Sequence, residues 1–111
     1  MDGFDIERLD EVIHGRLRLG IMTQLASAGT AEFNELKKRL QCTDGNLSAH
    51  LRKLEEAGYL VPEKSFVGRK PLTRIRLTDK GRGAFIAYLD AMGALVDAAK
   101  RAAPIEAGAD P

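Results

Sequence analysis

Between Thr43 and Gly58 the chain reads TDGNLSAHLRKLEEAG, and its polar residues are spaced for recognition rather than bond-making. Leu47, Leu51 and Leu54 recur at steps of four and three, which predicts a helix with one buried apolar stripe. On a wheel of 100° per residue the opposite face carries Gly45, Asn46, Ala49, Arg52, Lys53 and Glu56. Gly45 and Ala49 have almost no side chain, so that face is smooth where it starts. Asn, Arg and Lys around it can reach hydrogen-bonding edges. An ordinary surface helix and a helix made to lie in a groove both satisfy this pattern.

The local punctuation fits a helix with defined ends. Thr43 is a good N-cap, because its hydroxyl accepts from the free backbone N–H groups of the first turn. Asp44 places a carboxylate at the positive end of the helix dipole. Gly58 can turn left-handed and stop the helix.

Bond-breaking chemistry has little to work with. There is no Ser/His/Asp set, no phosphate-binding glycine loop after a strand, and no HxxxH or CxxC pair. The two histidines and one cysteine are far apart, so neither a catalytic constellation, a metal site nor a cofactor site is signalled. The single cysteine, Cys42, cannot form an internal disulfide, which suits a reducing compartment. It reads as a small hydrophobe filling a turn, with redox sensing next to the helix as the other option. His50 falls on the shoulder of the leucine stripe, suited to a helix–helix hydrogen bond. His14 reads as a surface or interface residue.

At 111 residues, with 44% hydrophobic content, the chain suits one soluble domain with a modest core. No apolar run approaches the ~18 residues of a membrane span, and the acidic start MDGFDIERLDE is unlike a signal peptide. A cytoplasmic location without membrane contact is expected. The net charge of +1 conceals a strong division. Residues 1–36 hold three Lys/Arg against seven acids, residues 37–82 hold twelve against five, and residues 83–111 hold two against four. Positive charge is thus confined to the middle of the chain, the footprint of a polyanion-binding surface.

The elements that must position this region follow in order. Leu9, Ile13, Leu17, Ile21 and Leu25 predict a first helix from Phe4 to about Ala28, closed by Gly29. A short extended piece at Ala31–Phe33 precedes a second helix, whose buried face is Phe33, Leu36 and Leu40. Only Gln41 and Cys42 separate it from Thr43, so the two helices form a helix-turn-helix. Without a glycine in that turn, Gln41 or its neighbour must adopt the left-handed conformation.

Beyond Gly58 the pattern becomes extended, with strands from Tyr59 to about Phe66 and from Leu72 to Leu77. Pro62 suggests a sheet edge. The turn Val67-Gly68-Arg69-Lys70-Pro71 gives the hairpin a basic tip, and Arg74 and Arg76 give it a basic face. Thr78 caps a last helix from Asp79 to about Ala103, and residues 104–111 form a small polar tail expected to be disordered. Phe85, Leu89, Met92, Val96 and Ala99 alternate at four and three, a short heptad seam. With Ile86, Tyr88 and Leu95 beside it, the apolar surface is wider than one small core needs, which favours a homodimer.

The expected fold is mainly α with a small β-hairpin (α+β), a winged helix-turn-helix with long N- and C-terminal helices. Residues 1–103 form the domain, with the helix-turn-helix at 33–58, the wing at 59–77 and the dimerisation helix at 79–103. The blocks FNELKKRL, TDGNLSAHLRKLEEAGYL and KSFVGRKPLTRIRLTDKG, in that order, resemble winged helix-turn-helix transcriptional regulators of the MarR/ArsR type. The resemblance covers about half the chain, from Phe33 to about Leu89.

It implies a second motif helix in the major groove of double-stranded DNA and a wing at the minor groove or backbone. Carried over by position, Thr43, Asp44, Asn46, Ser48 and Ala49 would approach bases or phosphates. Asn can bond adenine bidentately and Ala can pack on a thymine methyl. Arg52 and Lys53 would reach phosphates or a guanine edge. Arg69 would enter a minor groove, and Lys64, Lys70 and Arg74 would hold backbone phosphates. Gln41 and Cys42 stand where relatives often have Gly and an aliphatic residue. The chain is short for a MarR protein, so the resemblance does not by itself imply an effector pocket between long helices, and any small-molecule effector is left open. It also has no ligand cluster for ArsR-type metal sensing. The alternative function is a winged helix whose basic face docks an acidic protein partner.

Overall fold

A computed structural model of the protein describes residues 4–102. In chain order these form α1 (Arg16–Ala28), β1 (Thr30–Glu32), α2 (Phe33–Leu40), α3 (Asp44–Glu56), β2 (Leu60–Val67), β3 (Lys70–Leu77) and α4 (Asp79–Ala102). A 3-10 turn at Ile6–Arg8 precedes them. The strands make an antiparallel sheet in the order β1-β3-β2. The fold is therefore α+β, a winged helix, as the sequence pattern implies. The polar tail assigned to residues 104–111, and the last residue of the expected domain, lie outside the described residues.

The first helix is shorter than its periodicity suggests. Leu9 and Ile13 are buried as expected, but they arrive on the 3-10 turn and a second turn rather than on a helix. Asp10 is the physical reason. Its Oδ1 accepts from the backbone N–H groups of Val12 (2.8 Å) and Ile13 (3.3 Å), offering the backbone an alternative to helix. Its Oδ2 accepts from the hydroxyl of Tyr59, which ties the segment to the start of β2. The chain becomes helical only after Gly15.

The remaining ends follow local chemistry. Gln41 adopts the left-handed conformation at φ 53°, making the tight turn between α2 and α3 without glycine. Cys42 packs half-buried against the core beside it. Thr43 caps α3, its hydroxyl accepting from the N–H of Asn46 at 3.1 Å. Gly58, at φ 83°, ends the segment after α3. Thr78 caps α4 by accepting from the N–H of Gly81 at 2.9 Å, and its own hydroxyl donates to the carbonyl of Gly58 at 2.6 Å.

Gly81 is where α4 is pressed against the backbone of Tyr59, the residue before β2. A Cβ there would lie 2.0 Å from the carbonyl oxygen of Tyr59, so only glycine permits this approach. The core is contributed by every element: Ile21, Met22 and Leu25 from α1, Leu36 from α2, and Leu47, Leu51 and Leu54 from α3. Leu60, Ile75 and Leu77 join from the sheet, and Phe85, Tyr88 and Ala91 from α4. Beyond Ala91 no described α4 residue is fully buried, so the last turns of that helix overhang the core. The radius of gyration, 17.5 Å, records this extension. A compact domain of roughly 100 residues measures about 13 Å.

Candidate nucleic-acid interface

The buried stripe of α3 turns its other face outward. Thr43, Asp44, Gly45, Asn46, Ser48, Ala49, Arg52 and Lys53 are all exposed, and space around Gly45 is open. Asp44 is held by Lys37 from the end of α2 at 2.8 Å, an ion pair across the helix-turn-helix. The pair is solvent-exposed, and spacing on either helix does not signal it.

The sheet divides the candidate residues into groups. Ser48 and Arg52 of α3 line a shallow cleft with Lys64 and Thr73 of the wing, its floor formed by Phe33, Leu51, Leu60 and Ile75. Lys53 lies one step round the helix, in a second cleft with Arg18, Glu11 and Glu56. Arg52 and Lys53, about 100° apart on α3, therefore line different clefts at the two flanks of its exposed face. Arg69 and Lys70 sit exposed at the wing tip, where Gly68 and Arg69 form a two-residue turn between the paired Val67 and Lys70. Gly68 has φ 64°, as a type II′ hairpin requires at its first turn position. The strands are thus longer, and the turn shorter, than the Gly/Pro-rich stretch suggests.

Arg74 is set apart from this group. Side chains alternate across a strand, so Lys64 and Thr73 share the face of Leu60 and Ile75, whereas Arg74 takes the other face. There it lies in register with Glu63 on β2 and Glu32 on β1. Its neighbour on that face, Arg76, donates from Nε to Glu63 at 2.9 Å. This outer basic face is partly neutralised within the sheet, and it is not the face that meets α3.

Two histidines have definite partners. His50 joins α3 to α1: Arg18 Nη1 donates to its Nδ1 at 2.9 Å. Burial, then the charges of Arg18 and Lys53, hold His50 below its ordinary pKa of 6.5. His14 is exposed, yet its Nδ1 lies 2.7 Å from the hydroxyl of Tyr88, a side chain only 1% exposed on α4. The partner is 74 residues away, which is why sequence spacing could not indicate it.

The heptad seam of α4 is split by burial. Phe85 belongs to the core and Met92 is half-buried, whereas Leu89, Val96 and Ala99 are exposed. The apolar stripe open to a partner is shifted toward Ile86, which is 55% exposed, with Leu89, Gly93 and Val96 following at helical spacing. Among the described residues no group of His, Cys, Asp and Glu is arranged to hold a metal ion. No described helix is long and apolar enough to cross a membrane.

A helix-turn-helix with an exposed second helix and a basic wing defines a winged-helix regulator. Residues 17–96 match the family model described as a winged helix DNA-binding domain, and the chain belongs to that family. An uncharacterized protein of Methanocaldococcus jannaschii is 40% identical over 79 residues, covering 71% of this chain and 86% of its own. Among solved structures, a transcriptional regulator homologue from Pyrococcus horikoshii OT3 superposes with a TM-score of 0.78 at 32% identity. That match covers 84% of this chain and 93% of the other. A protein of Enterococcus faecalis V583, assigned to the MarR family of transcriptional regulators, matches with a TM-score of 0.68 at 26% identity. It covers 92% of this chain and 88% of its own. The MarR-like resemblance of the three sequence blocks is therefore supported by fold and by family.

Proposed function

We propose that the protein is a cytoplasmic transcriptional regulator that binds specific sites on double-stranded DNA as a homodimer. The face of α3 from Thr43 to Lys53 enters the major groove, and the wing from Lys64 to Lys70 follows the minor groove or backbone. The observation that carries this reading is the uncovered face of α3, smooth at Gly45 and Ala49 and sharing a cleft with Lys64. Asn46 and Ser48 supply hydrogen-bonding groups for base edges, and Ala49 an apolar surface for a thymine methyl. Lys64, Arg69 and Lys70 neutralise phosphates, a contribution that fixes position without reading sequence. Arg52 stands between these roles, reaching a guanine edge or a phosphate from the same cleft.

The exposed stripe of Ile86, Leu89 and Val96 supports self-association through α4. A two-fold pair would offer two α3 helices to half-sites about 34–36 Å apart, one turn of the duplex. The test is fluorescence anisotropy with duplex fragments, comparing wild type with Lys53→Ala and Arg69→Ala. Both variants are expected to keep their fold and oligomeric state while binding DNA more weakly. Normal binding by both would show the groove assignment to be wrong.

A further inference from the structure

The inner face of the wing is a series of paired rungs: Leu60 with Leu77, Pro62 with Ile75, Lys64 with Thr73, and Phe66 with Pro71. Leu60, Ile75 and Leu77 are buried, so the first rungs belong to the core. The Lys64–Thr73 rung is polar and ends it. One rung further out the face turns apolar again, with Phe66 72% exposed and Pro71 exposed beside it. Val67, on the outer face, is 66% exposed. No core contact explains apolar side chains at this place, and a hydrophobic wing tip in water is a liability for edge-to-edge association.

The surroundings of the phenyl ring indicate what it meets. From Lys64 to Thr73 there is no carboxylate, and Lys64, Arg69 and Lys70 are all exposed. An apolar tip inside a collar of cations complements a ligand whose anionic rim encloses apolar stacked faces. Duplex DNA has that construction, with phosphates outside and base steps within. Apolar side chains, Phe and Pro among them, are used in minor grooves to part a base step and kink the duplex by about 20–90°. The wing is suited to deliver one, because Phe66 is held in register against Pro71 and the turn beyond them has only two residues.

We propose that Phe66, backed by Pro71, is a wedge that enters the minor groove beside Arg69, parts one base step and bends the DNA. This inference rests on the DNA-binding reading above and adds a deformation of the duplex to it. Specificity would then include how easily the sequence under the wing is kinked, a property read without base hydrogen bonds.

The test uses the full chain and a short duplex carrying a donor and an acceptor dye at its ends. Anisotropy and energy transfer are read in the same samples. Wild type is expected to raise transfer efficiency on binding. Phe66→Ala should lose most of that rise while keeping the salt dependence of binding, since no charge is removed. Phe66→Leu, which keeps an apolar wedge, should retain a large part of the rise. Binding by wild type without any rise would overturn the wedge and leave the DNA-binding reading intact. Equal bending by wild type and Phe66→Ala would also overturn it. So would a Phe66→Ala protein whose only change is a smaller oligomer, since the tip would then join copies of the chain. Absence of binding to any duplex would remove the DNA-binding reading and the wedge together.

Discussion

Arg18 on α1 donates from Nη1 to Nδ1 of His50 on α3 at 2.9 Å, and its Nε donates to the carbonyl of Val12. One guanidinium thus fixes α3 to α1 and to the turn preceding α1. Accepting at Nδ1 requires a neutral ring with its proton on Nε2. Burial and the charges of Arg18 and Lys53 favour the same form, holding the folded-state pKa below 6.5.

The sign of the pH effect follows. A histidine whose folded pKa is depressed contributes stability above its unfolded value, and that stability is lost as pH falls through the folded value. The melting temperature is expected to decline as pH drops below 6.5, the ordinary value for this ring. In His50→Gln, which keeps an acceptor but cannot titrate, that decline should be shallower. An identical pH profile for the two proteins would mean that protonation of His50 does not load the α1–α3 contact.

Gly81→Ala should be strongly destabilising for its size. The added Cβ would meet the backbone oxygen of Tyr59 at 2.0 Å, so the backbone entering β2 and α4 must separate rather than a side chain rotate. Overpacking of this kind costs about 1–3 kcal/mol. For a domain of this size that lowers the melting temperature by several degrees, at about 4–8 °C per kcal/mol. Gly93, with nothing within 4 Å of its ideal Cβ, is the control, and Gly93→Ala should not destabilise the protomer. Equal melting of Gly81→Ala and wild type would contradict the packing at this joint.

Gly45 separates folding from recognition. It is helical and faces open space, so a side chain is tolerated and replaces the least favourable helix former after proline. Gly45→Glu also puts a carboxylate in the first turn, where the helix dipole favours it. The variant should be as stable as wild type or slightly more so, yet bind DNA at least about tenfold more weakly, a loss of ~1.4 kcal/mol. Unchanged DNA affinity would show that this face does not approach the duplex.

Much of this architecture was legible because it depends on neighbouring residues. The left-handed Gln41, the caps Thr43 and Thr78, the stop at Gly58 and the leucine stripe of α3 each follow from side chains a few positions apart. The features that were not legible depend on distant partners. Asp10 breaks the first helix in concert with Tyr59, which is 49 residues away. His14 is held by Tyr88, and Asp44 by Lys37 across the turn. Alternation put Arg74 opposite Thr73, but which face meets α3 is settled only when β2 and β3 pack on the core. By sequence Phe66 is one more strand residue, and only its exposure sets it apart. Phe85 and Leu89 share a heptad seam, yet one is buried in the protomer and the other is open.

Self-association can be tested on α4 without touching the core. Leu89 and Val96 are 47% and 40% exposed, so Leu89→Glu with Val96→Glu should leave the protomer folded. Sedimentation should show a dimer for wild type and a monomer for the double variant. A wild-type monomer, or a double variant that remains dimeric, would place the contact elsewhere or remove it.

The two faces of the wing make opposite demands. Arg69→Ala should reduce the slope of log affinity against log salt by about one. Arg74→Ala, on the face shared with Glu63 and Glu32, should leave that slope nearly unchanged. Equal slope changes for both variants would mean that the wing meets DNA with its outer face as well.

The most direct measurement is anisotropy of the purified protein with fragments of its own upstream DNA, across a salt series and against competitor duplex. Sequence-specific regulation requires tight, competitor-resistant binding to particular fragments that falls steeply with salt. Weak binding that is equal on every duplex, or no binding at all, would contradict it and turn the basic face toward an acidic protein partner.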